Sequence, residues 1–433
     1  MKRKSIVLTI FDFVVILLQV TYLLSMVGVY TIDVVPIPHY VTLFLLSSIS
    51  YFIRFRRHFL LYREVHSNPV FLLLVLIFLF DVIQGTIIAQ KGDGIARGIM
   101  MVSNYLLAEY LYSMYIEAKK YTDKPLEKVL KPYLVYSIYN AIAIILCLVL
   151  IVLGVINATD NPIEENALTH VNVSEGQSYF FPGYLSLSLM SMRLLSMFNI
   201  PLLTGLSHEP HVLLYLILPS FFIILAQLKD SKLFVRTLVI LLTVILLVVD
   251  MSTTAVLCFG FVVGLDVFWH AIHGNMKSRL VFFLVVFVAF ILMIKYGGLF
   301  IDLMAEEVTD KTVGNATGSL GYTTEMLKYI VVPDGIFGYG NVPPANGQLL
   351  KDYSAGVFTG LFDVLFYASV VFTAMKLYWH NNHRIHYYGL ACLYFLLHTL
   401  KVSFMTFAYP YLSLILVIMY ITYKESRGKV QVK

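Results

Sequence analysis

The sequence predicts an all-α, polytopic membrane protein with about twelve transmembrane helices and two large outer-face loops that contain short helices. Hydrophobic residues make up 59% of the 433 residues and charged residues only 13%, whereas soluble domains carry about 25% charged residues. Apolar runs close to the ~20 residues that a helix needs to cross a bilayer recur along the whole chain. Between alternate runs, Lys and Arg accumulate in short segments, as in the cytoplasmic loops of membrane proteins.

Hydropathy places the predicted helices within a single transmembrane domain over residues 1–433. Their cores cover residues 6–28, 38–53, 70–90, 95–117, 133–156, 211–228, 233–250, 253–272, 280–298, 356–376, 386–405 and 409–423. A β-barrel would instead show short alternating strands. The first run follows three basic residues and lacks a small-residue cleavage site, so we expect a retained span rather than a removed signal peptide.

The distribution of basic residues predicts the orientation. With the amino terminus in the cytoplasm, most Lys and Arg residues fall in cytoplasmic segments, as the positive-inside rule requires. Both termini are then cytoplasmic, and the two longest segments between predicted spans, 157–210 and 299–355, are periplasmic or extracellular loops. The net charge of +5 is therefore a topology signal and does not predict nucleic-acid binding.

Several classes of site are not expected. The three cysteines, Cys147, Cys258 and Cys392, lie within predicted spans, so no disulfide framework is implied. The chain contains no CxxC, HExxH, Walker-type or GxGxxG motif, so we expect no cofactor, no metal and no nucleotide-driven motor. The histidines of the segment 380–386 have spacing and basic surroundings that argue against a metal site.

The first outer loop has a polar, acidic part and an apolar part. The apolar part, residues 178–205, is interrupted by Pro182, Gly183 and Pro201. We expect a helix that lies in the membrane interface or dips into it from outside. Arg193 is the only charge of this part, and two interpretations stay open: it snorkels to the headgroups, or its forked donors bind a lipid-linked phosphate.

The second outer loop packs glycines and prolines around aromatic residues near its end. Such backbone turns tightly and approaches ligands closely. Phe337 and Tyr339 are candidates to stack on sugar rings, while the alternative is a lid held together by its turns. Within the predicted spans, Asp81, Glu109 and Asp363 are ionisable groups at membrane depth, and either a structural network or a polar pathway would explain Asp81 and Glu109.

Four motifs in chain order resemble those of the Wzy-type O-antigen and capsule polymerases, within the O-antigen polymerase and ligase superfamily. They are G-x-x-x-E-P at Gly205–Pro210, a Ser-Thr-Thr turn at Ser252, Thr253 and Thr254, F-G-x-G at Phe337–Gly340, and Asp352 before a glycine-containing span. The resemblance covers roughly residues 180 to 380. The chain departs from it by lacking an arginine just before the first motif and by having only Lys328 where many members carry an arginine before F-G-x-G. It also lacks the arginine that ligase-like members carry in the Ser-Thr-Thr turn.

The resemblance implies a GT-C-like enzyme that joins oligosaccharide repeat units carried on undecaprenyl diphosphate, at the outer face of the bacterial cytoplasmic (inner) membrane. A hydroxyl of one unit attacks the anomeric carbon of the growing chain, and undecaprenyl diphosphate leaves. The reaction needs a general base and cations for the departing diphosphate, but no metal or ATP. A flippase and a chain-length regulator are implied partners. The expected products are capsule or lipopolysaccharide glycans.

The resemblance also implies roles for individual residues. Glu209 is the predicted general base and His208 its rival or electrophilic partner. Arg193, Lys328 and Lys401 are predicted to bind the diphosphate; Phe337, Tyr339, Asn346 and Asp352 to bind sugar; and Ser252, Thr253 and Thr254 to line the turn near the site. Two alternatives stay open: a ligase that transfers finished glycan to another acceptor, and a flippase or transporter of lipid-linked oligosaccharides.

Overall fold

The computed structural model describes most of the helical part of the chain. The described residues are 6–20, 39–56, 58–65, 93–162, 179–193, 201–207, 210–228, 233–250, 252–274, 357–402 and 410–428, with isolated positions between 72 and 291. These residues are mostly helical. The prediction of a mainly α-helical protein is therefore confirmed for this part of the chain.

The described elements are eleven helices and a small sheet. In chain order they are α1 Ile6–Val20, α2 His39–Phe55, α3 Leu60–Val65, α4 Asp93–Ala118, α5 Pro125–Val152, β1 Tyr179–Phe180, β2 Leu187–Arg193, β3 Pro201–Gly205, α6 Pro210–Gln227, α7 Leu233–Asp250, α8 Thr253–His273, α9 Val357–Tyr378, α10 His383–Val402 and α11 Pro410–Gly428. A 3₁₀ turn, Pro182–Tyr184, precedes β2.

Two of the described helices combine the length and the apolar composition needed to cross a membrane. They are the segments Pro125–Val152 and Ala255–His273, and shorter apolar helices include Ile6–Val20 and Val212–Gln227. Buried core helices of soluble proteins and signal sequences can have the same length and composition. The structure thus supports membrane association, whereas the twelve spans and their orientation stay predictions.

The centre of the core is the antiparallel pair of α6 and α10. Tyr215 of α6 stacks on Phe395 of α10 at 4.9 Å between ring centroids, and lies 5.3 Å from the ring of His398. Seven residues further along α6, Phe222 faces Tyr394, which lies four residues before His398 in α10. The two helices therefore run in opposite directions, and their facing side chains are buried.

Charged side chains gather at one end of the bundle, which we call the polar end. There Arg54 at the end of α2 forms ion pairs with Asp12 of α1 and Glu117 of α4. The hydroxyl of Tyr115 donates to Glu425 near the end of α11, at 2.9 Å. The helices α2, α4 and α11 therefore all end at this end of the bundle.

The short helix α3 is held against the polar end by Glu109 of α4. The Glu109 carboxylate accepts hydrogen bonds from the amides of Leu61 and Tyr62, at 2.9 and 2.6 Å, and one from Tyr105 Oη at 2.6 Å. A carboxylate at the start of a helix satisfies amides that have no partner within the helix. Of the two interpretations of Glu109, the structure thus supports the network; Asp81 lies outside the described residues.

Glu64 in α3 adds a second attachment, since its carboxylate accepts hydrogen bonds from Lys424 of α11 and Tyr112 of α4. Burial works to raise the pKa of Glu64, but these two hydrogen bonds together with the charge of Lys424 outweigh it, and the pKa lies below its ordinary value. The carboxylate therefore stays charged at neutral pH and links three helices.

The apolar part of the first outer loop is a three-stranded antiparallel sheet, with the order β1-β2-β3. The predicted interfacial helix is therefore wrong over β1 to β3. Tyr179 pairs with Leu189, and Leu187 pairs with Gly205. The sequence LSLSL, residues 185–189, alternates apolar and polar residues with the period of two that favours a strand over a helix.

Candidate functional site

The glycine of the first motif forms the turn between β3 and α6. Gly205 has a φ of +57°, a backbone conformation that residues with a side chain rarely adopt. A Cβ atom at this position would lie 2.5 Å from Asn140 Oδ1. Both the conformation and the close approach of α5 therefore require glycine at this position.

Buried hydrogen bonds hold the turn in place. The Leu206 amide donates to Asn140 Oδ1 of α5 at 2.8 Å, and the Gly205 amide donates to Ser186 Oγ at 2.8 Å. The Thr204 hydroxyl donates to the carbonyl of Ser207 at 2.6 Å. Since Asn140, Ser186 and Thr204 are all buried, these bonds are sheltered from water and fix the route of the chain into α6.

The predicted catalytic pair lies next to this turn in sequence. The described chain stops at Ser207 and resumes at Pro210, which is the first residue of α6. Proline suits this position because the first amides of a helix have no partner within it. His208 and Glu209 themselves lie outside the described residues, so the structure gives the frame on both sides of them.

The end of α10 packs beside the start of α6. His398 is fully buried there, and its Nδ1 lies 2.8 Å from the Tyr394 hydroxyl, with donor and acceptor set by the ring tautomer. The same hydroxyl lies 3.4 Å from the carbonyl of Leu214 in the first turns of α6. Lys401 is three residues beyond His398 and so lies on the same face of the helix, almost one turn further; its side chain is not among those that the structure describes.

Arg193 does not lie close to the Gly205 turn along the sheet. It is the last residue of β2, and its Cα pairs with Pro201 at the start of β3, whereas Leu187 pairs with Gly205. Four residues of strand correspond to about 13 Å, so the backbones of Arg193 and Gly205 lie at opposite ends of the hairpin. The structure describes the backbone of Arg193 but not its side chain.

Ser252, in the predicted Ser-Thr-Thr turn, caps α8. Its hydroxyl accepts a hydrogen bond from the Ala255 amide at 3.5 Å, a long bond, and the residue is buried. Serine is a preferred residue at this position, because its side chain satisfies an amide at the start of the helix. The side chains of Thr253 and Thr254 lie outside the described residues. Besides His208 and Glu209, five further predicted site residues lie outside the described part of the chain: Lys328, Phe337, Tyr339, Asn346 and Asp352.

At the polar end, Asp266 and His270 of α8 meet His386 of α10. One possible ligand atom from each lies within 4.8 Å of the other two, and within the described ranges no other set of three such residues does so. The sequence alone associates His386 only with its neighbours in the chain, and no metal was expected there. The missed signal was the spacing of four between Asp266 and His270, which places both on one helical face.

No family model, no curated protein and no solved structure matches this chain. The resemblance to the polymerases therefore stays a prediction. Any function proposed for the chain has to be supported by the chemistry of its own residues.

Proposed function

We propose that the protein is a glycosyltransferase that polymerises oligosaccharide repeat units carried on undecaprenyl diphosphate. The turn at Gly205 is the observation that supports this proposal most directly. A glycine that no other residue can replace, clamped by Asn140 and Ser186, directs the chain into the segment that carries Glu209. Such a rigid frame is what positioning of a general base requires, because misplacement by about 1 Å can cost about 100-fold in rate.

In the proposed reaction, the carboxylate of Glu209 accepts the proton of an acceptor sugar hydroxyl. The hydroxyl oxygen forms a bond to the anomeric carbon of the donor chain, and the bond from that carbon to the diphosphate oxygen breaks. Undecaprenyl diphosphate leaves with the electron pair of the broken bond. His208 is the alternative base, because it neighbours Glu209 in the motif.

Of the cations proposed for the diphosphate, Lys401 has the best structural support. Its helix, α10, is packed along α6, and the contacts of His398 and Tyr394 place its last turns beside the first turns of α6. Arg193 has weaker support, since its backbone lies at the far end of the hairpin from Gly205. Lys328 lies outside the described residues, and its role rests on the resemblance alone.

The depth of the turn fits a lipid-borne substrate. Asn140, which binds the turn, lies 15 residues after the start of α5 at the polar end and 12 before its end. At 1.5 Å per residue, the turn is about 22 Å from the start of α5 and about 18 Å below its other end. With the polar end in the cytoplasm, the start of α6 is then recessed below the outer surface, where polyprenyl chains have direct access.

The proposal includes the predicted setting. The protein would cross the bacterial cytoplasmic membrane about twelve times, with both termini in the cytoplasm. A ligase would share the donor chemistry, but ligase-like members of the resembled family carry an arginine in the turn between α7 and α8. Here a buried serine cap, Ser252, occupies the beginning of that turn, which favours the polymerase. A flippase or transporter differs from both enzymes in needing a membrane to act across.

Purified protein in detergent, given lipid-linked repeat units, tests the activity. Chain growth without a membrane separates a polymerase from a flippase, which has no gradient or leaflet to act on. We expect Glu209→Gln to reduce the rate of chain growth by about 100-fold or more, in the range of general-base catalysis. Glu127→Gln is the matched control: Glu127 pairs with the exposed Lys124 at the polar end, and its removal should leave the rate unchanged.

Two results would contradict the proposal. If wild-type protein makes no glycan longer than one repeat unit, the polymerase assignment is wrong. If it does make long glycans and Glu209→Gln makes them equally fast while His208→Ala does not, the base is His208 instead. Lys401→Ala and Arg193→Ala, compared in the same assay, identify the cation. The variant that lacks the diphosphate-binding residue should lose rate, and the other variant should keep it.

A further inference from the structure

We propose that Asp266, His270 and His386 form a binding site for a divalent transition metal ion of the zinc class, which joins α8 to α10 at the polar end. The side chains belong to helices 120 residues apart in the chain. The proposal rests on their geometry and does not depend on the polymerase activity. Two histidine nitrogens and one carboxylate oxygen are a ligand set that zinc binds, with a fourth position left for water.

The hydrogen bonds of His386 argue for a cation beside its ring. Its Nδ1 lies 2.7 Å from the carbonyl oxygen of Tyr378, and since a carbonyl can only accept, Nδ1 carries the proton. A neutral ring then presents a lone pair at Nε2, which lies 2.9 Å from Asp266 Oδ1, an atom that also carries lone pairs. Two facing lone pairs at this distance require a proton or a metal ion between them.

His270 distinguishes these two possibilities. Its Nδ1 lies 3.9 Å from the same oxygen, Asp266 Oδ1, and has no hydrogen-bond partner within the described part of the chain although the atom is buried. A proton shared by His386 and Asp266 would leave this nitrogen unsatisfied, at a cost of about 1–3 kcal/mol in the fold. A metal ion would bind all three atoms.

The surroundings of the three ligands are those of an oriented metal site. Metal-bound histidines commonly donate their other ring nitrogen to a carbonyl, as His386 does to Tyr378. The second oxygen of Asp266 accepts a hydrogen bond from Tyr387 Oη at 3.1 Å, which leaves Oδ1 facing the histidines. Trp269 stacks on the His386 ring at 4.1 Å between centroids, which fixes the plane of that ring.

The distances between the ligand atoms require small adjustments before a metal ion can bind. Ligand atoms around tetrahedral zinc lie about 3.4 Å apart, from metal–ligand bonds of about 2.0–2.2 Å. His386 Nε2 and Asp266 Oδ1, 2.9 Å apart, must separate by roughly 0.5 Å, and His270 Nδ1, 3.9 Å from Asp266 Oδ1, must approach by about as much. The ligand atoms of His270 and His386 lie within 4.8 Å of each other and must also come closer. Its side chain is 41% exposed and has room to rotate, while that of His386 is fully buried. Arg236 lies near enough to act on His270, but its guanidinium donates two hydrogen bonds to the Leu228 carbonyl.

The test is zinc binding by the purified full-length protein in detergent after dialysis against a chelator. We expect one zinc ion per chain by calorimetric titration and by elemental analysis. His270→Ala and Asp266→Asn should each weaken binding by more than about 100-fold, since loss of an outer-shell partner alone costs about 10–100-fold. Zinc should also raise the melting temperature of the wild type by several degrees and leave that of both variants unchanged.

Two histidine variants serve as controls. His273→Ala changes a histidine one turn along the same helix, which stacks on Trp269, and His383→Ala changes one in the first turn of α10; both should bind zinc like the wild type. His270→Ala should fold normally, because the half-exposed position of His270 means that little packing is removed. Absence of zinc binding in the wild type, or wild-type affinity in His270→Ala, would overturn the proposal, as would loss of binding in both controls.

Discussion

Gly205 illustrates how much of the candidate site depends on one residue. The motif G-x-x-x-E-P predicted that this glycine matters but not why. In the fold it combines a φ of +57° with an approach to Asn140 that leaves no room for a Cβ atom. The sequence contains no sign of the second constraint, because Asn140 belongs to a helix far earlier in the chain.

We expect Gly205→Ala to destabilise the protein by about 2–5 kcal/mol, because a left-handed backbone costs about 1–2 kcal/mol for a residue with a side chain and overpacking costs about 1–3 kcal/mol more. Thermal unfolding in a fixed detergent measures the change. Gly154→Ala and Gly260→Ala separate the two contributions. Gly154 has a φ of +69° with nothing near the Cβ position, and Gly260 lies in a helix with open space around it.

From these environments, we expect Gly154→Ala to lower the free energy of unfolding by about 1–2 kcal/mol. Gly260→Ala should leave it unchanged or raise it by up to about 1 kcal/mol. Equal effects of Gly205→Ala and Gly154→Ala would show that the contact with Asn140 contributes nothing.

Among the elements, α3 shows what charge in an apolar helix can do. Glu109 lies in the middle of the predicted fourth span, and a functional pathway was one of its two interpretations. In the structure its carboxylate binds the first amides of α3 and is fully buried by that helix and its neighbours. The charge therefore has a structural partner, the backbone of a short helix nearly 50 residues earlier.

Glu109→Gln should release α3 from α4. A hydrogen bond to a charged group contributes about 1.5–3 kcal/mol, so amide hydrogen exchange at Leu61 and Tyr62 should become faster by about 10- to 100-fold. Glu127→Gln is the control, because the pair of Glu127 with the exposed Lys124 is worth at most about 1 kcal/mol. Unchanged protection of both amides in Glu109→Gln would show that the carboxylate is not what holds α3.

The strands β1 to β3 show where element prediction failed. Apolar composition and interrupting prolines suggested an interfacial helix, but the alternation of leucine and serine over residues 185–189 has a period of two. In the sheet, Ser186, Leu187 and Ser188 are all buried, because both faces are covered. The serines satisfy their hydroxyls locally, as Ser188 does by donating to the carbonyl of Ala158.

For the molecule as a whole, Arg54 joins three helices at the polar end. Its guanidinium lies 3.1 Å from Asp12 of α1 and also contacts Glu117 of α4. The side chains of Arg54 and Asp12 are 10% and 1% exposed, so solvent screens the pair little. Tyr110 Oη donates a further hydrogen bond to Asp12 at 2.8 Å. The association of α1 with the rest of the bundle therefore depends on a charge network as well as on packing.

Arg54→Met should destabilise the bundle by about 3–5 kcal/mol, because it leaves the buried carboxylate of Asp12 without its cation. Thermal unfolding in detergent is again the measurement. The double variant with Asp12→Asn removes the uncompensated charge and should recover a large part of the loss. A double variant as unstable as the sum of both single variants would show that the two residues are not coupled.

The sequence by itself determined the helical class and the bounds of several helices. The predicted core 233–250 coincides with Leu233–Asp250, and 253–272 with Thr253–His273. It also located the start of α6 at the Glu-Pro pair. These features are local: apolar runs, caps and prolines act within a few residues of where they stand.

Only the tertiary structure decided which distant residues meet. Asn140 with the Gly205 turn, Glu109 with α3, and Asp266 with His386 are separated by 48 to 120 positions, and each pair depends on how the helices pack. Helix packing is set by the shapes of many apolar side chains together, which the order of residues along the chain does not display. A buried polar atom must then find its partner among whatever that packing brings near, since leaving it without one costs about 1–3 kcal/mol.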